Sequence, residues 1–140
     1  IGVSFSIYNS TFSHNRAIGH GANPARGGTP GGGSGGAIYN DGNTFHLTVC
    51  GSSIHDSAAI EGGGAIFFVS NNLTGTLTVD RTWIWNCPSQ GFWTAPWPWL
   101  FYLGLGNPQI TNSTFDVPPP DLFCDGFESQ GFGEWDASDP

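Results

Sequence analysis

Hydrolysis of a glycosidic bond by an acid and a base needs two carboxylates held roughly 5 to 9 Å apart on one face. In this chain Asp41, Asp56, Asp80 and Asp116 stand at scattered positions, with no Asp-Asp pair and no Asn-x-Asp segment. An eliminating enzyme would need an acidic cluster for calcium and a basic side chain to take the proton. Only Arg16, Arg26 and Arg81 are available. Arg81 directly follows Asp80, which reads as a solvated local ion pair worth under about 1 kcal/mol. Cys50, Cys87 and Cys124 form no CxxC or Cys/His pattern with metal spacing. The run from Gly27 to Gly36 lacks the Gly-Lys-Ser/Thr ending and the following helix of a phosphate loop. No catalytic residue, metal or cofactor is therefore expected. What remains is aromatic: Trp83 and Trp85 lie two residues apart, so on a strand both face one way.

The elements that would carry these indoles repeat. An apolar residue followed five positions later by another, with small polar residues between, occurs at Ile7/Phe12, Val49/Ile54, Val79/Ile84 and Ile110/Phe115. A second motif, Gly35-Gly-Ala-Ile38 and Gly63-Gly-Ala-Ile66, alternates with the first. Phe5 and Ile7, Leu47 and Val49, and Leu77 and Val79 each put two apolar groups on one strand face, with Ser6, Thr48 and Thr78 on the other. The polar pairs Asn9-Ser10, Gly51-Ser52, Arg81-Thr82 and Asn112-Ser113 then turn a corner. A period near 30 residues, built from three short strands and three turns, predicts an all-β right-handed parallel β-helix, a solenoid of about four coils. Aligning the coils puts Thr11, Ser53, Trp83 and Thr114 in one outward column, and Ser13, His55, Trp85 and Asp116 beside it. Trp83, Trp85, His55 and Asp116 become the expected ligand-binding residues, since exposed indoles stack on sugar rings and the polar pair can hold hydroxyls. Against this stands the aromatic segment from Pro88 to Leu103, which could fold back over the tryptophans as a local cluster. The competing fold, an antiparallel sandwich, would use Asp41-Gly42 as a hairpin turn.

Composition agrees with short strands. Twenty-two glycines, ten prolines and 10% charged residues do not suit helices. A net charge of −8 with three basic residues excludes nucleic acid and an anionic membrane surface as partners. No apolar run is long enough for a membrane-spanning helix, so no membrane insertion is expected. The organisation expected is β-helix coils over residues 1–117, with a Gly-rich insertion loop at 18–35 and a Trp/Pro-rich modified coil or cap at 88–103. A non-repetitive tail follows at 118–140, after the stiff Pro118-Pro119-Pro120. Asn9, Asn72 and Asn112 head Asn-x-Thr triplets, which turn geometry explains at Asn9 and Asn112. An odd cysteine count leaves at least one thiol unpaired within the chain. Cys87 with Cys124 is the disulfide expected, pinning the tail to the last full coil.

The residues Gly35-Gly36-Ala37-Ile38, Gly63-Gly64-Ala65-Ile66 and Phe12-Ser13-His14-Asn15 resemble the GGAI and FxxN marks of right-handed β-helix repeats on bacterial surfaces. Those include the chlamydial polymorphic outer membrane proteins and related autotransporter passengers. Ser57 and Cys87 replace the asparagine in later copies. The resemblance spans about residues 3 to 117 and implies a fold shared by adhesins, stalks and pectate lyases. Gly19-His20-Gly21 is similar to a polygalacturonase segment whose paired aspartates are missing here, and it reads as part of a flexible loop. The Asp125-Gly-Phe-Glu-Ser129 segment with Trp135 is similar to a short tail at the natural ends of exported proteobacterial proteins. It implies a natural C-terminus near Pro140, with any missing coils N-terminal. The function expected is a secreted or surface-displayed module for adhesion, display or extracellular scaffolding. Its partners would be a polysaccharide or a surface protein. The alternatives are a fragment of a polysaccharide lyase or hydrolase, and a fibre subunit that self-associates end to end.

Overall fold

The computed structural model describes residues 2–20 and 32–117. Most of the glycine-rich insertion and the whole tail, with Cys124, lie outside the described residues.

Among the described residues the structure is all-β, with thirteen strands and no helix. They are β1 (Phe5–Tyr8), β2 (Thr11–Ser13), β3 (Arg16–Ala17), β4 (Ile38–Gly42), β5 (His46–Cys50), β6 (Ser53–His55) and β7 (Ala58–Ala59). The rest are β8 (Ile66–Ser70), β9 (Thr76–Asp80), β10 (Trp83–Trp85), β11 (Leu100–Leu103), β12 (Gln109–Thr111) and β13 (Thr114–Phe115). Every strand pair is parallel, and chain neighbours never pair. The sheets run β1-β5-β9-β12, β2-β6-β10-β13, β4-β8-β11 and β3-β7. An antiparallel sandwich is thereby excluded, and Asp41-Gly42 lies inside β4 rather than at a hairpin turn.

Like residues stand in register from one repeat to the next. Ile7, Val49, Val79 and Ile110 form one column, and Phe12, Ile54, Ile84 and Phe115 a second. Ile38, Ile66 and Leu100 form a third. The middle members of these columns are fully buried, and each such side chain contributes about 1.5–3 kcal/mol. Alternation is plain in β9, where Leu77 and Val79 face the core and Thr76, Thr78 and Asp80 do not.

Ser10, Ser52, Thr82 and Ser113 complete the first corner of each repeat. Each hydroxyl donates to the carbonyl two residues upstream. Those of Ser52, Thr82 and Ser113 also accept from a backbone N–H of the preceding repeat. Short hydroxyls are needed here because the backbone groups at a turn have no ladder partner of their own. The residue before each hydroxyl, Asn9, Gly51, Arg81 or Asn112, is left-handed, with φ between 46° and 61°. His14, Asp56 and Asn86, also left-handed, make the next corner, and Asp116 makes it one position earlier in the last repeat. Asparagine, aspartate and glycine tolerate this region best.

The two glycines of the second motif do different things. Gly35 and Gly63 have φ of +71° and +67°. Gly36 and Gly64 have no room for a Cβ, which would run into the backbone carbonyl of the following repeat. The third copy is β11. Its Leu100 pairs with Ile66, so Trp99 stands in the place of Ala65 and Pro98 in that of Gly64. Trp99 is buried and stacks on Phe115, ring centroids 5.0 Å apart. Outside the same sheet Tyr39, Phe67 and Phe101 stack in a row, with Phe92 edge-on to Phe101.

Candidate functional site

The outward face of the β2-β6-β10-β13 sheet is built by alternation. Ile54 and Ile84 point into the core, so their neighbours Ser53 and His55, and Trp83 and Trp85, point out. Trp83 pairs with Ser53 on one side and Thr114 on the other, and Trp85 with His55. Ser53 Oγ donates to Thr11 Oγ1 at 3.1 Å, which extends the small polar flank of Trp83.

The two tryptophans differ. Trp85 is stacked face to face on His55, centroids 4.2 Å apart and planes 2° from parallel, so one indole face is taken. His55 also meets the edge of His14 at 6.0 Å. Trp83 is half-buried and stacks on no other ring among the described residues. Its Nε1 is shielded from solvent without an acceptor, so the part of the indole that meets solvent is ring carbon. It lies in a depression of about 140 Å³ with Arg81, Thr82, Asn112 and Thr114. An apolar ring beside guanidinium, amide and hydroxyl groups is suited to a sugar, which offers C–H groups on one face and hydroxyls at its rim.

Asp116 stands opposite Trp85 by register, yet no hydrogen bond joins it to Trp85 or His55. Strand β13 is one residue shorter than β10, so the left-handed corner arrives early and Asp116 occupies it, with φ of 60°. The carboxylate beside His55 is instead Asp56, whose Oδ2 lies 2.8 Å from His55 Nδ1. Asn86 donates to its other oxygen. These hydrogen bonds, His55 first, hold the Asp56 carboxyl below its usual range. At the opposite corner Asp80 Oδ1 accepts from Thr111 and Asn112, and Oδ2 from Arg81 Nε at 2.7 Å. The Asn112 and Thr111 bonds lead in depressing the Asp80 pKa to about 2. Arg81 also donates to Cys50 Sγ at 3.1 Å, and the Cys50 contact, then Asp80, raises the guanidinium pKa.

Next to His55 the second corner forms a groove of about 240 Å³ lined by His14, Arg16, Asp56, Ser57, Ala58, Asn86 and Pro88. Sequence reasoning brought His55, Trp83 and Trp85 to this face but missed His14, Arg16, Asp56 and Asn86. The available signal was the recurrence of His, Asp and Asn two positions after the inward residue, at 14, 56 and 86. Those residue types favour a left-handed corner. In the segment at 88–103 Trp99 enters the core and Phe92 packs against Phe67 and Phe101, and among the described residues no aromatic ring of the segment stacks on Trp83 or Trp85. Cys87 is buried, forms no disulfide among the described residues and donates to the Trp85 carbonyl at 3.2 Å; its expected partner Cys124 is outside the described residues. His20 is exposed and Gly21 lies outside the described residues. Among the described residues no three His, Cys, Asp or Glu side chains are placed to hold a metal ion. Compared with protein-family models, curated proteins and solved structures, the chain matches none.

Proposed function

We propose that the chain winds as a right-handed parallel β-helix and works as a secreted or surface-displayed module in adhesion, display or extracellular scaffolding. On this reading it binds glycans through the outer face of the β2-β6-β10-β13 sheet. The winding is supported by parallel partners offset by one repeat in all the sheets and by the in-register columns. The observation that carries the glycan reading is Trp83. Its ring carbons meet solvent in a depression shared with Arg81, Asn112 and Thr114, and its N–H is hidden. Trp83 stands outside the buried core cluster. It is the residue type that dominates binding energies at interfaces.

A glycan array followed by titration calorimetry on the wild type, Trp83→Ala and Trp83→Phe tests this, with circular dichroism to verify folding. Binding should fall at least tenfold in Trp83→Ala, about 1.4 kcal/mol, and be partly kept by the ring of Trp83→Phe. No saccharide bound, or equal binding by a folded Trp83→Ala, would remove the glycan reading.

A further inference from the structure

We infer that the glycan carries an acidic group, a carboxylate or a sulfate ester, which seats in the second-corner groove against Arg16 and His14. The inference rests on the glycan reading above and names the chemical class of the ligand. In the groove the one carboxylate is already engaged. Asp56 already has one partner at each oxygen, His55 at Oδ2 and Asn86 at Oδ1. The guanidinium is not engaged. Arg16 is exposed and makes no side-chain hydrogen bond or ion pair among the described residues, and beside it the His14 ring stands edge-on to His55. A guanidinium is the side chain best shaped to grip a carboxylate or sulfate, through two parallel N–H donors. A volume of about 240 Å³ falls below the ~300–1,000 Å³ of clefts for whole drug-sized ligands, so it suits one ring or its charged substituent rather than a long segment.

The groove and the depression at Trp83 share no lining residue but are linked through one stack: His55 bonds Asp56 at the groove and stacks on Trp85, two residues after Trp83 on the same strand. An oligosaccharide running from Trp83 over Trp85 and His55 would bring a later, acidic unit to Arg16. The net charge of −8 does not oppose this locally. Six of the eleven acidic residues lie beyond residue 117, and residues 1–117 hold five acidic residues against three arginines.

The test is calorimetry with three probes, a neutral glucan oligosaccharide, an oligouronate and a sulfated oligosaccharide, against the wild type, Arg16→Gln and Trp83→Ala. Wild type should prefer at least one acidic probe over the neutral one by tenfold or more. Arg16→Gln should collapse that preference, and added salt should weaken the acidic binding alone. The uronate and sulfate arms identify which anion is taken. Equal affinity for neutral and acidic probes, or an acid preference unchanged in Arg16→Gln, overturns the inference while leaving the glycan reading in place. No binding of any probe removes both.

Discussion

Replacing Gly64 by alanine probes why the second motif is written with two glycines. An added Cβ would lie far inside contact with the Cys87 carbonyl oxygen and 2.5 Å from the carbonyl carbon of Pro88. Ordinary carbon contacts begin near 3.5 Å, so one strand of backbone must move by about 1 Å. That segment is fixed on both sides. Ala59 donates its N–H to Pro88 O at 3.2 Å, and Gly64 donates to Ser89 Oγ at 2.8 Å. Losing one or two such bonds costs about 1 kcal/mol each, and overpacking typically adds 1–3 kcal/mol. Loss of glycine entropy from the unfolded chain returns about 0.4–1 kcal/mol. The net expected is a destabilisation of about 2–4 kcal/mol. Gly106→Ala is the control, because Gly106 has φ of +60° but nothing within 4 Å of a Cβ. It should lose only the left-handed penalty, about 1–2 kcal/mol before the same entropy return. Urea unfolding followed by circular dichroism gives both midpoints. If Gly64→Ala unfolds within about 0.5 kcal/mol of wild type, or no earlier than Gly106→Ala, the close-stacking explanation of the motif is wrong.

Ile84→Ala empties the centre of a column packed between Ile54 and Phe115 and should cost about 2–5 kcal/mol in the same urea assay, whereas Ile110→Ala, at a half-buried position, should cost less. Cys87→Ser should change stability by no more than about 1 kcal/mol, since Ser57 makes the equivalent bond to the His55 carbonyl at 3.2 Å; an unfolded variant would contradict this. Burial pushes the Cys87 thiol from 9.0 up to about 11, so peptide mapping after alkylation at pH 8 should show Cys50 labelled in the folded protein and Cys87 labelled only in denaturant. Asp80 has a folded pKa near 2 against 3.8 for the free side chain, so its contribution is present above about pH 4 and is lost as pH falls through 2; wild type should therefore lose more stability than Asp80→Asn between pH 5 and pH 2, and equal losses would exclude the role given to Asp80.

Columns formed by apolar side chains were legible because burial fixes the register: the five-residue step from Ile7 to Phe12 recurs at 49, 79 and 110, and the strands pair on those residues. Strand β11 was not legible. Its Leu100 follows Trp97-Pro98-Trp99 instead of Gly-Gly-Ala, and among the described residues β11 is an edge strand, where nothing forbids bulky side chains before it. The two-residue strands β3 and β7 were missed because Arg16-Ala17 and Ala58-Ala59 show no alternation to read. At the site, the outward position of Trp83, Trp85 and His55 followed from period-two alternation. The stacking of Trp85 on His55, and the partnership of Asp56 rather than Asp116 with His55, depend on ring rotamers and corner timing that spacing does not encode.

The single-residue left-handed corners have a consequence for engineering. From Ile7 to Phe12, Val49 to Ile54, Val79 to Ile84 and Ile110 to Phe115 the count never varies, and each of these steps bends at one residue. One extra amino acid there would invert which side chains face inward for the rest of the strand. Length instead varies ahead of β4, β8 and β11, where 20, 6 and 10 residues stand between Ala17 and Ile38, Ala59 and Ile66, and Ser89 and Leu100. Foreign peptides grafted into these segments should leave the stack in phase, while the same graft at Asn9 or Gly51 should not, making the chain a display scaffold with its permissive and forbidden insertion points written into the corner geometry.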